Sequence, residues 1–103
     1  QEVLDALENI RKTLDAGVEV PVNETLDRLV SEAKAAIDAN EASGVKGGMF
    51  TVNARNSLEY FENIVRMTKM GMTPFEADRT QADKFLLEAA RVHRDSARTA
   101  TPP

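Results

Sequence analysis

Four consecutive residues, Thr73-Pro74-Phe75-Glu76, combine a capping hydroxyl, a proline suited to the first helical turn and a reciprocal glutamate. They predict a helix start at Pro74. Read outward from that point, the chain resolves into amphipathic helical stretches separated by glycines. From Glu2 to Ala16, the residues Val3, Leu7, Ile10 and Leu14 recur on one narrow seam, with Glu8 and Lys12 paired on the wet side. Gly17 is placed to end this helix. Val18-Glu19-Val20-Pro21-Val22 alternates like a short strand, but Pro21 favours an extended connector. Asn23 is the best cap for a second helix running to Asn40, with Leu26, Leu29, Val30, Ala33, Ala36 and Ile37 along one face.

Three glycines fall within residues 44–48, which predicts a mobile loop. A third helix is expected over 52–70, capped by Thr51 or Asn53. Its residues Ala54, Ser57, Leu58, Tyr60, Phe61, Ile64, Val65, Met67 and Thr68 cover close to half the circumference. A face that wide meets two neighbours, so this helix is expected to be the central one. Gly71 closes it, and the fourth helix follows almost at once over 74–97. That helix gathers Phe75, Ala82, Phe85, Leu86, Ala89, His93 and Ser96 into one arc. The fold expected is all-α: a four-helix bundle, or an irregular orthogonal four-helix domain, as one domain over 1–98 followed by a disordered tail at 99–103. The narrow seam of the first helix makes it the least secured element.

Composition removes several classes of function. Without cysteine there is no disulfide framework, zinc finger or thiol nucleophile, which leans toward a cytoplasmic setting. No apolar run approaches the roughly 20 residues of a membrane span. Tryptophan is absent, so the core must be mostly aliphatic. A chain that opens on Gln1 and closes on Thr101-Pro102-Pro103 is compatible with a trimmed or processed piece. Charge is uneven, with ten acids against four bases in residues 1–45 and nine bases against seven acids in 46–103. That layout suits self-association or a charged partner, although solvated helix faces also produce it.

No convergent acid, base and nucleophile can be named. His93, the single histidine, falls inside the apolar arc of the fourth helix and lacks the Glu-x-x-His spacing of di-iron bundles. It reads as a core-edge histidine. The stretch 44–48 lacks the P-loop order and follows a helix rather than a strand, so it reads as a linker. Residues 63–84 resemble a helix-turn-helix in outline. Glu76, Asp78 and Asp83 would nevertheless carry negative charge toward the phosphates. Lys84, Arg91, Arg94 and Arg98 form a better nucleic-acid footprint.

Leu4, Met70 and Leu87 lie off the buried arcs, as Met49 and Phe50 also can, and Leu87 sits among arginines. The function expected is therefore that of a non-enzymatic helical assembly module. Its interface would include Leu4, Met70 and Leu87, and its partner would be a second copy or another protein. A nucleic-acid binder using Lys84, Arg91, Arg94 and Arg98 is the alternative. No cofactor, metal, membrane or small-molecule substrate is expected.

Overall fold

The computed structural model describes residues 2–16, 22–42 and 48–100, with the backbone alone for 22–23 and 96–100. It contains four helices: α1 (Glu2–Asp15), α2 (Val22–Ala42), α3 (Gly48–Lys69) and α4 (Glu76–Ala100). They form an all-α four-helix bundle. Cross-helix contacts give the directions. Val3 at the start of α1 lies beside Ala36 and Ala39 near the end of α2. Arg55 and Lys69 of α3 reach Asp38 and Asp27 of α2, and Phe50 and Tyr60 of α3 meet His93 and Phe85 of α4. Each of these helix pairs is therefore antiparallel, and the chain runs up, down, up, down.

The core is one cluster built from the expected faces. Val3, Leu7 and Ile10 of α1 are essentially inaccessible, as are Leu26, Ala33 and Ile37 of α2. The wide face of α3 contributes Ala54, Leu58, Phe61, Ile64 and Val65. It touches all three other helices, as expected of the central element, whereas α2 and α4 do not pack on each other. α1 is the shortest helix, and its narrow seam buries Val3, Leu7 and Ile10 while Leu14 stays only partly buried; Ala6 adds to it on the buried side.

Helix starts and one pairing differ from the sequence reading. The third helix begins at Gly48 rather than at residue 52, because burying Phe50 against the core draws the preceding turn into the helix. Gly48 supplies φ 41° at that start. Thr51 and Asn53 are consequently buried helix-interior residues rather than caps, and Asn53 Nδ2 donates back to the Met49 carbonyl at 2.7 Å. The fourth helix begins at Glu76, so Thr73 and Pro74 lie in the connection and Phe75 is exposed instead of joining the core.

That connection has a clear cause. Gly71, with φ 74°, donates to the Thr68 carbonyl and Met72 donates to the Met67 carbonyl, the paired bonds of a Schellman end. The proline after Thr73 disfavours a helical conformation there, which delays the next helix. At the far end α4 continues through residues 99 and 100, two residues into the segment expected to be disordered. Glu8 pairs with Arg11 rather than with Lys12. The second helix begins at Val22 and runs to Ala42, so Asn23 lies within it rather than capping it. Gly17, the Val18–Pro21 connector, the loop at 43–47, residues 101–103 and the side chain of Asn23 lie outside the described residues.

One buried polar contact ties α3 to α4. Ser57 Oγ donates to the Ala82 carbonyl at 2.8 Å, and both residues are inaccessible. Enlarging Ala82 should therefore push the two helices apart. Ala82→Leu is expected to cost about 1–3 kcal/mol by overpacking, and Phe61→Ala about 3–5 kcal/mol by leaving a cavity. Urea unfolding followed by circular dichroism measures both.

Candidate protein-interaction face

The side of α4 turned away from α3 carries the most exposed large hydrophobic side chain among the described residues. Leu87 is 68% exposed at the middle of α4. Beside it runs a groove of about 200 Å³ between α1 and α4, floored by Leu4, Leu86 and Ala90 and edged by Glu8, Arg11 and Asp83. Leu4, expected to be off the core, is half-buried and packs against it. It forms one wall of the groove. Of the three expected interface residues, Leu4 and Leu87 thus come together.

Met70 does not join them. It is 64% exposed on the other side of the bundle, at the C-terminus of α3, where Val30 and Val65 line a shallow groove of about 330 Å³. The sequence reading missed its neighbours Met72 and Phe75, both also exposed in the α3–α4 connection. Their signal was available in the Met-Gly-Met spacing, but Phe75 was assigned to the core by its place in the expected helix. Met49 and Val52 are exposed at the opposite end of α3, while Phe50 is buried.

The charges around the α1–α4 groove are largely committed. Arg79 Nη1 is 2.7 Å from Asp15 on α1, and its Nε donates to both oxygens of Asp83 at 3.2 Å. Arg11 lies 3.2 Å from Glu8 and 3.7 Å from Asp83, closing the second link between the helices. The hydrogen bond from Arg79 holds the Asp15 carboxyl below the ordinary carboxylate range, outweighing the opposing effect of burial, with the charges of Arg79 and Arg11 adding to it.

The expected basic stripe is broken up. Arg91 is clamped by Glu88 and, at 3.2 Å, by Asp95, and the hydrogen bond from Arg91 pulls the Glu88 carboxyl below its usual range. Lys84 Nζ sits 5.9 Å from the centre of the Phe85 ring. Arg94 is exposed on the same helix, without a carboxylate partner among the described residues. The side chain of Arg98 lies outside the described residues.

His93 is half-buried at the core edge, its ring 5.7 Å from that of Phe50. Among the described residues, no group of three or more His, Asp or Glu side chains is close enough to hold a metal ion. None of the described helices is long and apolar enough to cross a membrane.

Fold and face together define a four-helix up-and-down bundle with an apolar groove on its α1–α4 side. Compared with protein-family models, curated proteins and solved structures, the chain matches none.

The Asp15–Arg79 bridge carries a pH dependence of definite sign. Because folding lowers the carboxyl of Asp15, its contribution is complete above the unfolded value and is lost as pH falls through the folded one. Asp15 is half-exposed, so the contribution should stay under about 1 kcal/mol. Wild type and Asp15→Asn should differ in urea midpoint near neutral pH, and the difference should shrink as pH falls through and below the ordinary carboxylate range.

Proposed function

We propose that the chain is a helical assembly module that works by binding protein, a second copy of itself in the first place, without catalysis or a cofactor. For a chain without cysteine, a cytoplasmic setting is part of the same reading. The observation that carries it is Leu87, exposed in the middle of α4 and continuous with the apolar groove at Leu4. Single exposed hydrophobes are ordinary, but an exposed leucine adjoining an apolar groove with a charged edge has the composition of a binding surface. Met70, Met72 and Phe75 add a second apolar patch at the α3–α4 connection. The nucleic-acid reading has weaker support, since Arg91 is already paired and Glu88 and Asp95 flank it. Phosphates approaching that stripe would meet carboxylates as well as guanidinium groups.

Light scattering coupled to size exclusion, over a dilution series at low and high salt, tests the reading. Concentration should be followed by refractive index, because one tyrosine and no tryptophan leave little absorbance at 280 nm. The same weakness makes any bound nucleic acid conspicuous at 260 nm. The expected result is a concentration-dependent mass above the 11.3 kDa of one chain, free of nucleic acid. An 11.3 kDa species at every concentration overturns self-association, and salt-labile nucleic acid on that peak favours the alternative.

A further inference from the structure

We propose that the C-terminal end of α3 is a binding site for a soft monovalent cation, Cu(I) or its analogue Ag(I), held by the thioether sulfurs of Met67, Met70 and Met72. This goes beyond the assembly reading and does not rest on it. The ion is a ligand of the helix end, with no catalytic step attached.

The backbone brings these side chains to one place. Three of the chain's four methionines fall within residues 67–72. Met70 continues α3 by one residue, its amide donating to the Arg66 carbonyl at 3.1 Å, so it lies one turn beyond Met67 on the same side of the helix. At that spacing Cβ atoms are about 5–6 Å apart. Met72 would leave this side if the helix went on. Instead Gly71, with φ 74°, turns the chain, and the 2.9 Å bond from the Met72 amide to the Met67 carbonyl folds Met72 back over Met67. Residues joined in this way regularly put their side chains in contact. The turn that stops α3 therefore sets Met67 between the other two, and the flexible methionine side chain lets the sulfurs close on one point without moving the backbone.

Donor chemistry selects the ion. Thioether sulfur is a soft, uncharged ligand that suits Cu(I), whereas Mg(II) and Ca(II) take oxygen and Zn(II) takes imidazole, thiolate or carboxylate. Harder donors do not compete, because no group of three or more His, Asp or Glu side chains among the described residues is close enough to hold a metal ion. Packing leaves the sulfurs available: Met70 and Met72 are exposed and Met67 is half-buried. A helix C-terminus also carries the negative end of the dipole, which favours one positive charge there. The basic side chains of the last turn are turned elsewhere. Arg66 donates back along the helix to the Asn63 side-chain oxygen, and Lys69 is held 3.0 Å from Asp27 of α2. An ion on the three sulfurs would tie the last turn of α3 to the residues that leave it.

Silver(I) nitrate titrated into the full chain in chloride-free buffer tests the site, since Ag(I) shares the ligand preferences of Cu(I) and is stable in air. Carbon-13 labelling of the methionine methyls gives one NMR signal per methionine, and Met49, exposed at the other end of α3, is the internal control. The expected result is saturation at one ion per chain, with the methyls of Met67, Met70 and Met72 shifting together and that of Met49 staying in place. Mg(II) and Zn(II) should move none of them. Leucine replaces methionine at nearly constant volume, so Met70→Leu and Met72→Leu should each fold as wild type does. Each should weaken Ag(I) binding at least about tenfold, the loss seen when even an outer partner of a metal site is removed. Ag(I) should also raise the melting temperature of wild type and leave that of the triple variant, Met67→Leu with Met70→Leu and Met72→Leu, unchanged.

No methyl shift at one Ag(I) per chain would overturn the site. Equal shifts of all the methionine methyls, Met49 included, would reduce the result to the general affinity of exposed thioethers and overturn it as well. Undiminished binding by the triple variant, still folded by circular dichroism, would move the ion to His93 or to carboxylates away from the end of α3. None of these outcomes bears on self-association, which the light scattering decides separately.

Discussion

The hydroxyl of Ser57 donates to the Ala82 carbonyl at 2.8 Å, and a side-chain to main-chain bond this short between two helices requires their backbones to lie close. Alanines make that approach possible. Ala54 on α3 and Ala82 and Ala89 on α4 are all inaccessible, and none projects beyond a methyl group. Leu58, Phe61, Ile64 and Val65 of α3 and Leu86 of α4 supply the bulk around this close approach. Tyr60 stacked on Phe85 and Phe50 against His93 extend the seam along α3. With its small face given to α3, α4 meets α1 only along one shoulder, and the groove at Leu4 and the exposed Leu87 follow from that geometry.

Much of this was legible in the chain because helical periodicity survives in a single sequence. The seam of α1, the buried stripe of α2 and the wide face of α3 all appear at the positions their spacing predicts. Helix starts were harder to read, for a reason visible in two places. Thr51, Asn53 and Thr73 are all good capping residues by type, yet none begins a helix here. At Gly48 the burial of Phe50 outweighs local capping preference, and at Glu76 the Schellman turn and Pro74 delay the next helix. Both are tertiary or multi-residue effects that pairwise spacing does not carry. Phe75 was misplaced as a direct consequence, since a helix beginning two residues later no longer includes it.

The site was legible in its residues but not in their grouping. Leu4, Met70 and Leu87 are each more exposed than a core position, although Leu4 only partly so, and nothing in their sequence positions separates Met70 from the other two. Grouping depends on which helices are neighbours. Leu4 and Leu87 meet because α1 and α4 run antiparallel side by side, whereas Met70 follows the end of α3 beside α2.

The uneven charge of the chain has a use inside the bundle. Arg55, Lys69 and Arg79, from the basic half, bind Asp38, Glu41, Asp27 and Asp15 from the acidic half. Each of these bridges joins two antiparallel neighbours at a particular height. Exposed bridges add little stability individually, but a bundle with the opposite helix order or a shifted register would lose several at once and leave like charges adjacent. The asymmetry in the sequence is thus first a device for specifying one arrangement of four helices, and only its remainder is available to a partner. That remainder is unevenly placed. The acids of α1 that face α4 are tied to Arg11 and Arg79, while Arg94 stands beyond the reach of those bridges on the outer face of the last helix. A surface with an apolar knob at its centre, bridged carboxylates at one end and, at the other, a guanidinium with no carboxylate partner among the described residues is asymmetric along its length.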